Sequence, residues 1–98
     1  MITRDEAIER VLAALRARAV GGADGVVILE SKTIEKPYGW AFFYNSRKFI
    51  ETGELLYCLV GGGPVVVLAD TGAIHELGSA RPPLEEIAKL EQRLGLTV

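Results

Sequence analysis

The stretch from Pro37 to Ser46 constrains the fold most, because it concentrates the aromatic residues of this 98-residue chain. It contains the only Trp, two of the three Phe and two of the three Tyr. Read with a period of two, three aromatic side chains fall on one side of a strand: Trp40, Phe42 and Tyr44. Aromatic residues suit a pleated surface and bury large areas. We therefore predict that this stretch is the central strand of the fold.

Two amphipathic helices are predicted at the ends of the chain. Thr3 and Glu6 form a capping box, and the apolar residues that follow recur at helical spacing, which places the first helix at about residues 4–20. A Pro-Pro pair followed by two glutamates, within residues 82–86, is typical of a helix start. Gly95 then ends this second helix.

Between the helices, the pattern of apolar runs and turns predicts five strands. They are residues 26–35, the aromatic strand within 37–46, and residues 54–60, 65–69 and 73–77, with a loop at 47–53. This order predicts an α+β fold in one domain spanning residues 1–98: a single antiparallel sheet of four to five strands, flanked by an N-terminal and a C-terminal helix. We expect both helices on the same face, which would leave the other face uncovered.

Composition narrows the class of protein. A net charge of −2 provides no electrostatic footprint for nucleic acid or an anionic membrane. The longest uncharged apolar run, residues 55–69, is broken by Gly-Gly-Gly-Pro and is too short to cross a bilayer. A single cysteine cannot form an internal disulfide, and the charged N-terminus lacks a signal core. These features predict a cytoplasmic protein that binds neither nucleic acid nor membrane.

No residue pattern in the sequence supports catalysis, a cofactor or a metal. His75 is the only histidine, so a zinc site would lack its usual ligands. Cys58 lies in an apolar run and is interpreted as a buried thiol. The glycines before Pro64 precede a strand, whereas a phosphate-binding loop precedes a helix. We therefore expect no catalytic residues, no metal and no cofactor.

Four motifs, in this order and spacing, resemble the YrhB-like, or immunity protein 35, family. They are Glu35-(x)3-Gly39-Trp40-Ala41-Phe42-Phe43-Tyr44-Asn45-Ser46, then Gly61-Gly62-Gly63-Pro64-Val65-Val66-Val67, Asp70-Thr71-Gly72 and Gly78-Ser79-Ala80. The resemblance spans nearly the whole chain. It implies a small bacterial domain with a helix at each end and a run of strands between them.

The resemblance also implies a non-enzymatic function. The first candidate function is immunity, in which a cytoplasmic antidote binds a cognate polymorphic toxin. The second is a chaperone-like activity that holds unfolded client proteins. A third interpretation rests on the apolar sheet and its unprotected edge strand, which predict a homodimer with no separate client.

Four residues are candidates for contact with a protein partner. Tyr38, Tyr44 and Arg47 lie near the ends of the aromatic strand, where loops leave side chains accessible. Glu35 could pair with a basic group of the partner. Aromatic and arginine side chains are the types that most often anchor protein interfaces.

Overall fold

The computed structural model describes residues 1–59 and 63–96. The helices are α1 (Arg4–Ala17), α2 (Arg47–Thr52) and α3 (Pro83–Leu94). The strands are β1 (Val26–Ile28), β2 (Ile34–Lys36), β3 (Gly39–Phe42), β4 (Tyr44–Ser46), β5 (Val65–Leu68) and β6 (Ile74–Glu76). The predicted α+β class is confirmed, with the long helices at the two ends.

The strands form two antiparallel sheets, so the prediction of a single sheet is partly wrong. β1 pairs with β4, and a separate four-stranded sheet has the order β2-β3-β5-β6. The first two predicted strands do form a hairpin, but residues 29–33 lie opposite residues 42–43. The longer of these two stretches accommodates its additional residues by forming a 3-10 helix at Glu30–Lys32. This interruption divides both strands and separates the sheets.

The strand predicted at residues 54–60 is also wrong within the described residues. Leu55–Tyr57 form a 3-10 helix, and residues 58 and 59 belong to no strand; residue 60 lies outside the described ranges. The alternating apolar pattern does not make a strand here because side chains of Asn45 and Ser46 bind the backbone of residues 57 and 59, and Leu55 and Leu56 remain exposed. The predicted strands at 65–69 and 73–77 correspond to β5 and β6.

One face of the four-stranded sheet packs against α1. The helix begins with the predicted capping box of Thr3 and Glu6 and buries Ala7, Val11 and Leu15. These side chains share a core with residues from both sheets: Val26, Ile28, Phe42, Val65 and Val67. Trp40 and Tyr44 pack at the margin of this core. The predicted side for Trp40, Phe42 and Tyr44 is therefore correct.

The opposite face of the same sheet packs against α3. Ile87 and Leu90 of the helix share a second core with Ala41 and Val66, which alternate with Phe42 and Val65 along their strands. The two long helices thus lie on opposite faces, and the expectation that they share one face is wrong. The reason is the strand pattern itself, since β3 and β5 are apolar on both sides and each side requires cover.

Candidate protein-binding surface

The segment of residues 47–59 follows β4, and its last residues return to the same strand through hydrogen bonds. A loop was predicted for its first half, at residues 47–53, but residues 47–52 form α2. Ser46 caps this helix, because its Oγ accepts a hydrogen bond from the backbone N–H of Phe49 at 3.0 Å. Gly53, with a φ of 72°, ends it. The signals for this helix in the sequence were the serine directly before it and the glycine directly after it.

Two side chains of β4 hold the second half of the segment. Asn45 Oδ1 accepts hydrogen bonds from the backbone N–H groups of Ser46, at 2.8 Å, and Leu59, at 2.9 Å. The Ser46 hydroxyl donates to the carbonyl oxygen of Tyr57. Ser46 is the buried polar residue of the described chain, with an exposed fraction of 4%. The segment is therefore fastened to the sheet by buried and half-buried polar groups.

The fastened segment exposes three aliphatic side chains: Ile50, Leu55 and Leu56, here called the aliphatic trio. Their exposed fractions are 45%, 82% and 82%. α2, which carries Ile50, contacts the 3-10 helix that carries the two leucines. Exposed apolar patches rimmed by polar residues are typical of protein-interaction sites. The trio is the strongest candidate surface of this kind in the described residues.

The basic side chains beside the trio are engaged within the protein. Lys48 Nζ lies 4.9 Å from the centroid of the Tyr57 ring and 3.9 Å from a carboxylate oxygen of Asp24. Arg47 Nε donates to the carbonyl oxygen of Asp24 at 3.3 Å. Arg47 also lines a surface cavity of about 230 Å³ between the end of α1 and residues 22–26. These contacts attach the start of the segment to the loop after α1.

Of the four contact residues predicted from sequence, Glu35 and Tyr38 lie on opposite faces of the sheet. Glu35 is exposed and pairs with Arg4 of α1 at 3.4 Å. Tyr38 belongs to the α3 side, where its hydroxyl donates to Glu91 Oε2 at 2.6 Å. Burial, together with the hydrogen bond and the negative charge of Glu91, raises the pKa of Tyr38 above its ordinary value.

Tyr44 and Arg47 lie further along the chain. Tyr44 is the first residue of β4, and Arg47 is the first residue of α2. Tyr44 is half-buried at the margin of the α1 core. Burial raises the pKa of its phenol, and the nearby carboxylate of Glu76 raises it further, while Arg18 acts in the opposite sense. The structure therefore does not gather the four predicted residues on one surface. Their role in partner contact stays a prediction.

The residues considered for chemistry occupy ordinary positions. Cys58 is half-buried rather than buried as predicted, and its Sγ lies 3.6 Å from the amide nitrogen of Asn45. His75 lies in β6, opposite Val66 of β5. Within residues 1–59 and 63–96, no three His, Cys, Asp or Glu side chains form a group that could hold a metal ion. No helix in the same ranges is long and apolar enough to cross a membrane.

The fold and its exposed segment define a small α+β domain with a helix on each face of an antiparallel sheet. A model of the family described as immunity protein 35 matches residues 5–89. The chain therefore belongs to the immunity protein 35 family, which confirms the resemblance drawn from its motifs.

A curated relative adds support for this assignment. The chain is 46% identical over 48 residues to the uncharacterized protein YrhB of Escherichia coli (strain K12). The match covers 49% of this chain and 50% of YrhB, so it spans about half of each protein. No solved structure matches the chain.

Proposed function

We propose that this protein is a cytoplasmic bacterial immunity protein that neutralises a cognate toxin by binding it. Membership of the immunity protein 35 family carries the proposal. The structure supports it through the aliphatic trio, which a fixed segment presents to solvent. A binding antidote requires a surface of this type and no reaction chemistry, which agrees with the expectation that the protein is not an enzyme.

The arrangement of the segment favours tight binding to one partner. Asn45 and Ser46 already order residues 57–59 through hydrogen bonds to the backbone. A surface that is ordered before binding loses less conformational entropy on association. The toxin would cover Leu55 and Leu56, and Arg47 is a further predicted contact at the start of the same segment.

The exposed aliphatic side chains also fit the second candidate, a holdase that binds unfolded clients. A holdase would bind many unrelated chains weakly, without a single tight partner. The homodimer prediction now rests on the trio and the sheet edges, because α1 and α3 cover both faces of the four-stranded sheet.

Co-expression tests the proposal. The probe is the C-terminal domain of a large modular reading frame beside this gene, produced from an inducible promoter. We expect the intact protein to restore growth and to co-purify with that domain at equal stoichiometry. Full lethality without a complex, combined with suppressed aggregation of unrelated clients, would show the holdase function instead.

A further inference from the structure

The charges next to the aliphatic trio are unbalanced. Glu51 follows Ile50 in α2, and Glu54 directly precedes Leu55; both glutamates are exposed. Neither forms an ion pair with another residue in the described part of the chain, where the ion pairs involve other carboxylates. By contrast, Lys48 is held between Asp24 and the Tyr57 ring. The charged residues directly adjacent to the trio in sequence are therefore both acidic, while Arg47 and Lys48 of the same segment contact Asp24.

We propose that the trio, together with Glu51 and Glu54, docks into an apolar pocket of the toxin that is bordered by lysine or arginine side chains. This inference rests on the proposed function and names the chemistry of the partner. Complementary charge around an apolar centre accelerates association and disfavours partners with the wrong sign. Two unpaired carboxylates beside exposed leucines match that arrangement.

The same charges argue against a second copy of the chain as the occupant. In a twofold-symmetric dimer, each patch faces its own equivalent. Burying the trio in this way would bring the glutamates of one copy close to those of the other. Like charges in an interface are unfavourable, and the basic residues of the segment, Arg47 and Lys48, are held toward Asp24 rather than beside the glutamates.

The exposure of the side chains identifies substitutions that should weaken docking without disturbing the fold. Leu55 and Leu56 are each 82% exposed, so replacing them by Asp removes apolar contact surface without opening the core. Leu84 of α3, which is 67% exposed, is the matched control for these replacements. Glu9, an exposed residue of α1, is the control for reversing charge.

The test measures binding of purified variants to the toxin domain encoded beside this gene. For Leu55→Asp with Leu56→Asp, we expect an affinity loss of about 100-fold, the size typical of central interface anchors. For Glu51→Lys with Glu54→Lys, we expect an association rate about tenfold lower and a weaker salt dependence. Leu84→Asp and Glu9→Lys should bind within about twofold of the unchanged protein, as residues outside an interface do.

Each outcome decides between the two proposals. If the unchanged protein binds and rescues while both double variants behave like it, the docking inference is wrong and the immunity function stands. If the unchanged protein neither binds nor rescues, the immunity function is wrong and the inference falls with it. A dimer that becomes a monomer in Leu55→Asp with Leu56→Asp would instead identify a second copy as the occupant, which also overturns the inference.

Discussion

Asn45 Oδ1 accepts a hydrogen bond of 2.9 Å from the backbone N–H of Leu59. The two residues are 14 positions apart in the sequence, and the bond joins β4 to the end of the segment that contains α2 and the 3-10 helix. The same oxygen also accepts from the N–H of Ser46. One side-chain amide thus binds the N–H that a neighbouring strand would have paired in the predicted sheet, and it holds the end of the segment that carries the exposed leucines.

Asn45→Ala should loosen this segment. The change leaves two partly buried N–H groups without their acceptor, which is expected to lower the free energy of unfolding by about 1–3 kcal/mol. Amide hydrogen exchange at Leu59 should become faster, while exchange in β5 should change only as much as global stability does. Chemical denaturation and exchange measurements check both effects.

Asn45→Asp is the matched control because it retains an oxygen at the accepting position. It should preserve slow exchange at Leu59, since only the weak contact from the amide nitrogen to Cys58 is lost. Equal exchange rates at Leu59 in Asn45→Ala and in the unchanged protein would show that the amide does not hold the segment.

Tyr38→Phe should weaken the attachment of α3. Its hydroxyl donates to Glu91 Oε2, which also lies 3.2 Å from Lys36 Nζ. Loss of the hydroxyl is expected to lower the free energy of unfolding by about 1 kcal/mol at neutral pH. Tyr57→Phe is a suitable control, because the Tyr57 hydroxyl has no hydrogen-bond partner within the described ranges.

The stabilisation that the Tyr38 hydroxyl provides should also decrease at alkaline pH. Its pKa in the folded protein is raised above the ordinary value of 10.0, so the folded state keeps this proton where the unfolded chain loses it. The stabilisation is therefore complete below pH 10 and decreases as pH rises above it. The stability difference between the unchanged protein and Tyr38→Phe should shrink across that range. A difference that grows with pH would contradict the account.

Gly39→Ala should be among the most damaging single-methyl changes. Gly39 has a φ of 156°, and a Cβ atom there would lie 2.0 Å from the carbonyl oxygen of Val67 in the neighbouring strand. Because this oxygen belongs to the backbone of β5, the strands would have to separate. We expect a loss of at least about 3 kcal/mol in the free energy of unfolding.

Gly53→Ala provides the comparison, since Gly53 also has a positive φ but its Cβ would meet open space. Only the backbone conformation is then unfavourable, at about 1 kcal/mol. Denaturant titration of both variants separates the two effects. Similar losses in the two variants would show that the close approach of β3 and β5 is not required.

Local signals in the sequence were sufficient for much of the fold. The pairing of Thr3 with Glu6 identified the start of α1, and the alternation of Trp40 with Ala41 identified the central strand. The family assignment also followed from sequence motifs. These features depend on residues that are close together in the chain, where periodicity and capping chemistry are informative.

The errors arose where contacts between distant residues decide the structure. The apolar alternation at residues 54–59 suggested a strand, but Asn45 and Ser46 bind the backbone there and the two leucines remain exposed. Nothing local in the sequence shows that Asn45 reaches Leu59. The candidate surface was missed for the same reason, because Leu55 and Leu56 resemble core residues until their surroundings are known.

The most direct test of the central claim, neutralisation by binding, is a titration of toxin activity with this protein. The toxin domain encoded beside the gene is held at a concentration far above the dissociation constant, and its activity is measured as purified protein is added. We expect a linear loss of activity that ends at one molecule of this protein per toxin molecule. Full inactivation by a small fraction of an equivalent would indicate catalysis, and undiminished activity at a large excess would contradict neutralisation altogether.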